Sequence, residues 1–206
     1  MKVTLVNGSP HPHGCTNAAL LEVAGELEKE GIATTMFNIG TKPVYGCIAC
    51  NKCIDTGRCI FTDDPCNDLI EQMKNSDGIV IGSPVYYASP NGALLALLDR
   101  AFFLKKHFYR HKPAAAVVSS RRSGTTASFE VLNKYFTINE MPVVSSQYWN
   151  AVHGYTAADA KKDIEGMQCM RTLGRNMAWM LKSFEAAKDK VAKPEFEKIT
   201  HTDFIR

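Results

Sequence analysis

The sequence predicts an α/β fold: a doubly wound parallel sheet of five strands, in the order 2-1-3-4-5, with helices on both faces. Three observations carry this. Short β-like runs and helical patterns alternate five times along the chain. The runs at residues 78–82 and 114–119 are small or apolar throughout instead of alternating with polar residues, as strands covered on both faces are. No repeat or low-complexity linker interrupts the 206 residues, and 45% of them are apolar, enough for one sizeable core. The whole chain, 1–206, therefore reads as a single domain.

The first strand, 2–6, stops at the turn residues Asn7, Gly8, Ser9 and Pro10. Thr16 or Asn17 is expected to cap the first helix, whose apolar positions Leu20, Leu21, Ala24 and Leu27 recur at helical spacing and which Gly31 ends. Residues 33–39 are β-rich and lead into a cysteine-rich loop, 46–62. Thr62, Asp63, Asp64 and Pro65 then supply a capping residue, first-turn acids and an early proline for a helix over 67–75. The third strand, 78–82, is followed by a loop and a helix over 92–104. The fourth strand is 114–119, with a loop at 120–124 and a helix over 125–136. The fifth strand is expected at 141–145. A last helix over about 157–188, broken at Gly166 or Gly174, passes into a polar tail, so that 157–206 forms a C-terminal helix plus tail.

The net charge of +3, with basic residues scattered along the chain, gives no argument for a nucleic-acid partner. No stretch approaches the roughly 18 apolar residues of a membrane span. The first residues lack the apolar region of an export signal, so the expected compartment is the reducing cytoplasm, where disulfides rarely persist.

In such a sheet, ligands bind outside the carboxyl ends of the strands, at the switch point between strands 1 and 3. Three loops there have unusual composition. The first runs from Asn7 to Asn17, and its Ser9 and Thr16 hydroxyls with the N–H groups around Gly14, Cys15, Thr16 and Asn17 suit a phosphate at a helix N-terminus. It is neither a Walker loop nor a G-x-G-x-x-G loop, and an ordinary capped βα turn explains it as well. The second includes Pro84, Val85, Tyr86 and Tyr87, a stiff loop with flat apolar faces that suits a planar ring. The third, Ser120, Arg121, Arg122, Ser123 and Gly124, is small, polar and cationic, fit for a ring edge or an anionic cofactor. A phosphate on the first loop and a flat ring on the other two describe FMN.

Gly8-Ser9-Pro10 with Thr16, then Ser83-Pro84-Val85-Tyr86 and Leu98-Asp99-Arg100, resemble the NADPH-dependent FMN reductase group of flavodoxin-like proteins. The cysteine run followed by Asp63-Asp64 makes the chain similar to the iron–sulfur flavoproteins within that group. The resemblance covers residues 1–145 by order of elements. It implies that Ser9, Gly14, Cys15, Thr16 and Asn17 hold the FMN phosphate. Pro84, Val85, Tyr86 and Tyr87 would line the isoalloxazine and the 120–124 turn would complete its edge. It also implies NADPH as hydride donor and a homodimer or homotetramer with flavins at subunit interfaces. His11 stands where the family commonly has Arg, Cys15 where it has Asn, and Leu95 where it often has Lys. A histidine in the phosphate loop would make binding more pH-sensitive.

Cys47, Cys50, Cys53 and Cys59 follow the spacing C-x2-C-x2-C-x5-C. Short steps with a longer last one are how compact [4Fe–4S] loops are built. Structural zinc prefers two C-x2-C knuckles with a longer insert between them. A C-x-x-C dithiol and a metal-free loop that retains its thiols are the other readings. Because the loop follows strand 2, it is expected on the same sheet edge as the flavin. Cys66 and Cys169 read as small buried apolar residues.

Residues 145–155, after the fifth strand, carry Tyr148, Trp149, Asn150, His153 and Tyr155. They form a candidate pocket for substrate or nicotinamide, with His153 as a proton donor, or else a subunit interface. The function expected is an oxidoreductase that passes reducing equivalents from NAD(P)H through FMN to a small-molecule or protein acceptor, by way of a [4Fe–4S] cluster if the loop holds one. The alternatives are a flavodoxin-type electron carrier and a thiol redox sensor. A carrier commonly shows an acidic docking surface, which a pI of about 8.4 does not favour.

Overall fold

A computed structural model of the chain describes residues 1–104, 108–198, 200 and 202. Part of the expected C-terminal tail lies outside the described residues.

The elements run β1 (Lys2–Asn7), α1 (Cys15–Lys29), β2 (Ala33–Asn38), α2 (Lys52–Thr56), α3 (Cys66–Lys74), β3 (Gly78–Tyr86) and β4 (Ser89–Pro90). They continue α4 (Gly92–Phe102), β5 (Ala114–Ser120), α5 (Thr125–Ile138), β6 (Ala151–His153), α6 (Ala157–Ala160) and α7 (Ile164–Ala187). The parallel sheet has the order β2-β1-β3-β5-β6, which is the expected 2-1-3-4-5 with the short antiparallel β4 added beside β3. Side chains alternate across it. Val3, Leu5, Val80, Ala115 and Val117 pack under α1 and α7. Val6, Ile79, Ile81, Ala116 and Val118 pack under α3, α4 and α5. Each fully buried Val, Leu or Ile contributes about 1.5–3 kcal/mol, so the two-sided apolar strands are what hold the layers together.

Several boundaries differ from expectation: β3 runs on to Tyr86, α4 ends at Phe102, and the short α2 stands inside the cysteine loop. The fifth strand does not form at 141–145. That segment makes only one isolated bridge, Val143 to Ala114, and the strand proper is β6. Pro142 lacks an N–H, and the chain leaves the ladder before rejoining it where Asn150 O accepts from Val118 N. The first helix starts at Cys15 with Gly14 at its N-cap, so neither Thr16 nor Asn17 caps it. The last helix breaks at 161–163, between α6 and α7, and Gly166 and Gly174 lie inside α7. Asp163 caps α7 by accepting from Gly166 N at 2.9 Å. Gly174 serves packing: a Cβ there would meet Glu26 Cβ at 2.7 Å and Val23 O at 2.8 Å on α1. The ion pairs Arg171–Glu22, Arg175–Glu26 and Lys182–Glu30 run along the same seam.

Candidate functional site

The phosphate loop is closed by its own backbone. Ser9 Oγ accepts from His11 N at 3.1 Å, His11 O accepts from Gly14 N at 3.2 Å, and Asn7 Oδ1 accepts from Ser9 N at 3.1 Å. Ser9 is buried, while His11 projects into solvent and Gly14 and Cys15 are half-buried. The Thr16 side chain points inward, its hydroxyl bonded to Ser119 Oγ at 2.8 Å. Only its backbone N–H faces the loop, which corrects the expectation of a hydroxyl contact. The α1 N-terminus has no side-chain cap. Its free N–H groups at Cys15, Thr16 and Asn17 and the positive end of a 15-residue helix suit an anion. Cys15 Sγ donates to Gly154 O at 3.5 Å, and burial pushes this thiol up from its ordinary value.

The two ring loops meet this one. Gly8 N donates to Gly82 O at 2.8 Å and Asn91 Nδ2 donates to Gly8 O at 2.8 Å, tying loop 1 to the middle of β3 and to the residue just beyond β4. That loop is a tight hairpin: Val85 pairs with Pro90 and Tyr86 with Ser89. Tyr87 (φ 50°) and Ala88 (φ 59°) form its two-residue turn with both residues left-handed. Such a turn normally carries Asn-Gly, and two non-glycine residues there store strain. The turn leaves Pro84 and Val85 half-buried, Tyr86 exposed and Tyr87 wholly in solvent. Gly124 (φ +89°) abuts Ala88, where a Cβ would stand 2.7 Å from Ala88 Cα. Ser120 is buried and its hydroxyl has no protein partner, a free donor at the edge of the site. Arg121, Arg122 and Ser123 are exposed around the mouth. The cradle and the orphaned hydroxyl together fit FMN.

The cysteine loop leaves the ligand edge and descends along the outside of α3 and α4. Gly57 O accepts from Lys74 Nζ, at the far end of α3, at 3.2 Å. The loop was expected on the sheet edge where β2 ends, and its turn at Gly57 reaches from there to the far end of α3. Cys47, Cys50, Cys53 and Cys59 line one pocket with Phe61, Phe103 and Arg100. The Cys53 thiol is pushed up, first by burial and then by Cys59, Cys47 and Cys50 nearby. Among the described residues, no three His, Cys, Asp or Glu side chains gather closely enough to hold a single ion. Four thiols spread around one pocket with a cationic N–H donor at its wall are a donor set that fits an iron–sulfur cluster.

The loop is held by residues to which sequence reasoning gave no such role: Arg100 and Asp64 entered it only as parts of the resemblance and of a helix start. Arg100 and Asp64, both buried, form a forked ion pair through Nη1–Oδ2 and Nη2–Oδ1. Arg100 Nη1 also donates to Tyr45 O at 3.1 Å, and Arg100 Nε donates to Cys59 Sγ at 3.2 Å. Asp64 accepts from Tyr45 N and Cys66 N, each at 3.1 Å. Asn67 grips Cys59 at both backbone groups, at 2.8 and 3.0 Å. The sequence signal was an arginine one helical step from Leu97, inside the buried stripe of α4.

A family model described as NADPH-dependent FMN reductase matches residues 1–156. The chain belongs to this family. An iron–sulfur flavoprotein of Methanocaldococcus jannaschii is 34% identical over 190 residues, covering 88% of this chain and 98% of that one. One from Methanosarcina thermophila is 30% identical over 195 residues, covering 92% and 100%. Among solved structures, RosB with the bound intermediate 8-demethyl-8-formylriboflavin-5'-phosphate superposes with a TM-score of 0.69 at 15% identity, covering 100% of this chain and 94% of that one. The fold is flavodoxin-like, as expected. As an FMN reductase family member the chain is of the FMN-binding oxidoreductase kind, and its curated relatives carry the iron–sulfur flavoprotein name.

A second cavity of the reductase, about 300 Å³, lies beside β6 and is lined by Thr125, Tyr148, Trp149, His153, Asp163 and others. Its size is at the lower end of small-molecule pockets. His153 Nδ1 stands 3.4 Å from Asp163 Oδ2, which also accepts from His153 N at 2.7 Å. Gly154 N donates to Ser120 O at 2.9 Å, so this cavity adjoins the ring loops. Among the described residues, no helix is long and apolar enough to cross a membrane.

Proposed function

We propose that the protein is an NAD(P)H-dependent FMN oxidoreductase that passes electrons to an acceptor, with a [4Fe–4S] cluster on Cys47, Cys50, Cys53 and Cys59. The observation that carries this is the meeting of three loops around an uncapped helix N-terminus, with four thiols around one pocket on the same chain. Bound FMN supplies hydride acceptance and one-electron release, and a cluster supplies one-electron exchange.

The chain's own part is to bind, orient and exclude water. The N–H groups of Cys15, Thr16 and Asn17 and the Ser9 hydroxyl hold the phosphate, with His11 at the rim in place of a fixed charge. Pro84, Val85 and Tyr86 cover the ring, Ser120 donates to its polar edge, and Arg121 and Arg122 attract an anionic nicotinamide cofactor. The cavity beside β6 takes the acceptor. There Asp163 orients His153 so that Nε2 can deliver a proton. Exposed Tyr87, Tyr148, Trp149 and Tyr155 support a homodimer or homotetramer. The small net charge of +3, with basic residues scattered along the sequence, supports a small-molecule or redox-protein partner over a nucleic acid, and the dense thiols suit a reducing cytoplasm.

Anaerobic purification with an absorbance spectrum and iron, sulfide and zinc analysis tests the cofactor set. Flavin with about four iron atoms per chain is expected, and a flavin spectrum without iron after reconstitution removes the cluster. Rapid mixing with NADPH or NADH should bleach the flavin. A flavin that neither bleaches would leave a carrier or sensor. His153→Gln should slow acceptor reduction by about 100-fold or more and flatten its pH profile while leaving bleaching by NADPH unchanged. An unaltered profile would remove His153 from the chemistry.

A further inference from the structure

The geometry points to Arg100 as a positioning residue for the thiol pocket, one that fixes Cys59 as a ligand and favours the added electron at that corner. This rests on the cluster reading above.

Arg100 projects from α4 with its three donor nitrogens shared among Asp64, Tyr45 and Cys59. Nη1 and Nη2 face Asp64, Nη1 also meets Tyr45 O, and Nε faces Cys59 Sγ at 3.2 Å. Tyr45 precedes the first ligand and Cys59 is the last, so one side chain grips both ends of the loop. Asp64 fixes the plane of the guanidinium and thereby the direction of the Nε–H bond. The Arg100 ring contact at Phe61, 5.1 Å to the centroid, covers the same side. The Asp64 carboxylate offsets the net charge, so the effect on the sulfur is that of a directed, dry N–H dipole. A donor to a ligand sulfur stabilises the more negative, reduced cluster and raises its potential. Cys47 and Cys50 are exposed and, among the described residues, no side-chain donor meets their sulfurs, which makes the Cys59 corner different from the outer two.

The test starts with wild-type holoprotein reconstituted anaerobically with ferrous iron and sulfide. The cluster potential is followed by electron paramagnetic resonance and the flavin potential by absorbance. Two variants are compared with it. Arg100→Lys keeps the charge on Asp64 but cannot fork. Arg100→Gln with Asp64→Asn removes the buried charges together. Both should show a lower cluster potential and an unchanged flavin potential. An iron-replete double variant with the wild-type cluster potential overturns the inference. Should neither variant hold iron, wild-type protein carrying guanidinium-15N arginine decides: electron spin-echo modulation should show a 15N coupling to the reduced cluster, and its absence overturns the inference. Wild-type protein that binds no iron overturns the cluster reading itself, and this inference with it.

Discussion

Replacing Asp64 with Ala should destabilise the metal-free protein by about 3–5 kcal/mol, the range for removing one partner of a buried ion pair. The Arg100 and Asp64 side chains are 1% and 0% exposed, so the orphaned guanidinium would have neither water nor carboxylate. The same change frees Tyr45 N and Cys66 N. Against a total stability of about 5–15 kcal/mol, this is enough to loosen the cysteine loop and much of the α3–α4 layer. Urea unfolding of apoprotein measures it, and a loss below about 1 kcal/mol would mean that the pair is not buried as described. Burial tends to push the Asp64 carboxyl up, but bonds from Arg100, Tyr45 and Cys66 outweigh it and hold the group below its ordinary range. A depressed carboxyl contributes stability above its unfolded value, near pH 4, and loses it as pH falls through the folded value. Wild type should therefore lose stability on acidification below about pH 4 by more than Asp64→Ala does.

Gly124→Val should weaken FMN binding at least about tenfold, or about 1.4 kcal/mol. The φ of +89° is unfavourable to any L side chain and worst for a β-branched one. The new Cβ would lie 2.7 Å from Ala88 Cα and 2.9 Å from Val85 Cγ1. These atoms belong to the hairpin proposed to cover the ring, so relief must come from moving the hairpin and the loop after β5 apart. Titration of apoprotein with FMN, followed by fluorescence quenching, gives the affinity. Gly25→Ala is the control: nothing lies within 4 Å of its Cβ, and the affinity should be unchanged while α1 is stabilised by about 0.5–1 kcal/mol. Equal affinities in the two variants would mean that the loops after β3 and β5 do not jointly form the ring site.

The layers were legible because the strands are apolar on both faces, a pattern that only a covered parallel sheet explains. The phosphate loop was legible through its glycine, its hydroxyls and the helix that follows. The direction of the Thr16 hydroxyl was not, because a residue one position inside a helix can face in or out, and Ser119 decides it. The hairpin at Tyr87 and Ala88 escaped notice since neither residue advertises a left-handed turn. The displaced fifth strand was hidden by Val143 and Val144, which have strand propensity but adjoin a proline. Arg100 stood in the sequence only as part of the Leu98-Asp99-Arg100 run that carries the resemblance, with no role attached to its side chain. Its partner Asp64 read as a first-turn acid, and only their spatial meeting reveals the clasp.

Helix α4 touches both halves of the site. Asn91, at its start, holds the phosphate loop through Gly8, and Arg100, near its end, holds the thiol pocket. The nine steps between them span about 14 Å of helix at 1.5 Å each. α4 therefore acts as a gauge block: the candidate phosphate loop and the thiol pocket are tied to one rigid rod and keep a set separation. It also fixes their phase, because one inserted residue would rotate everything beyond it by about 100° and swing Arg100 off the pocket while the flavin end stayed in place.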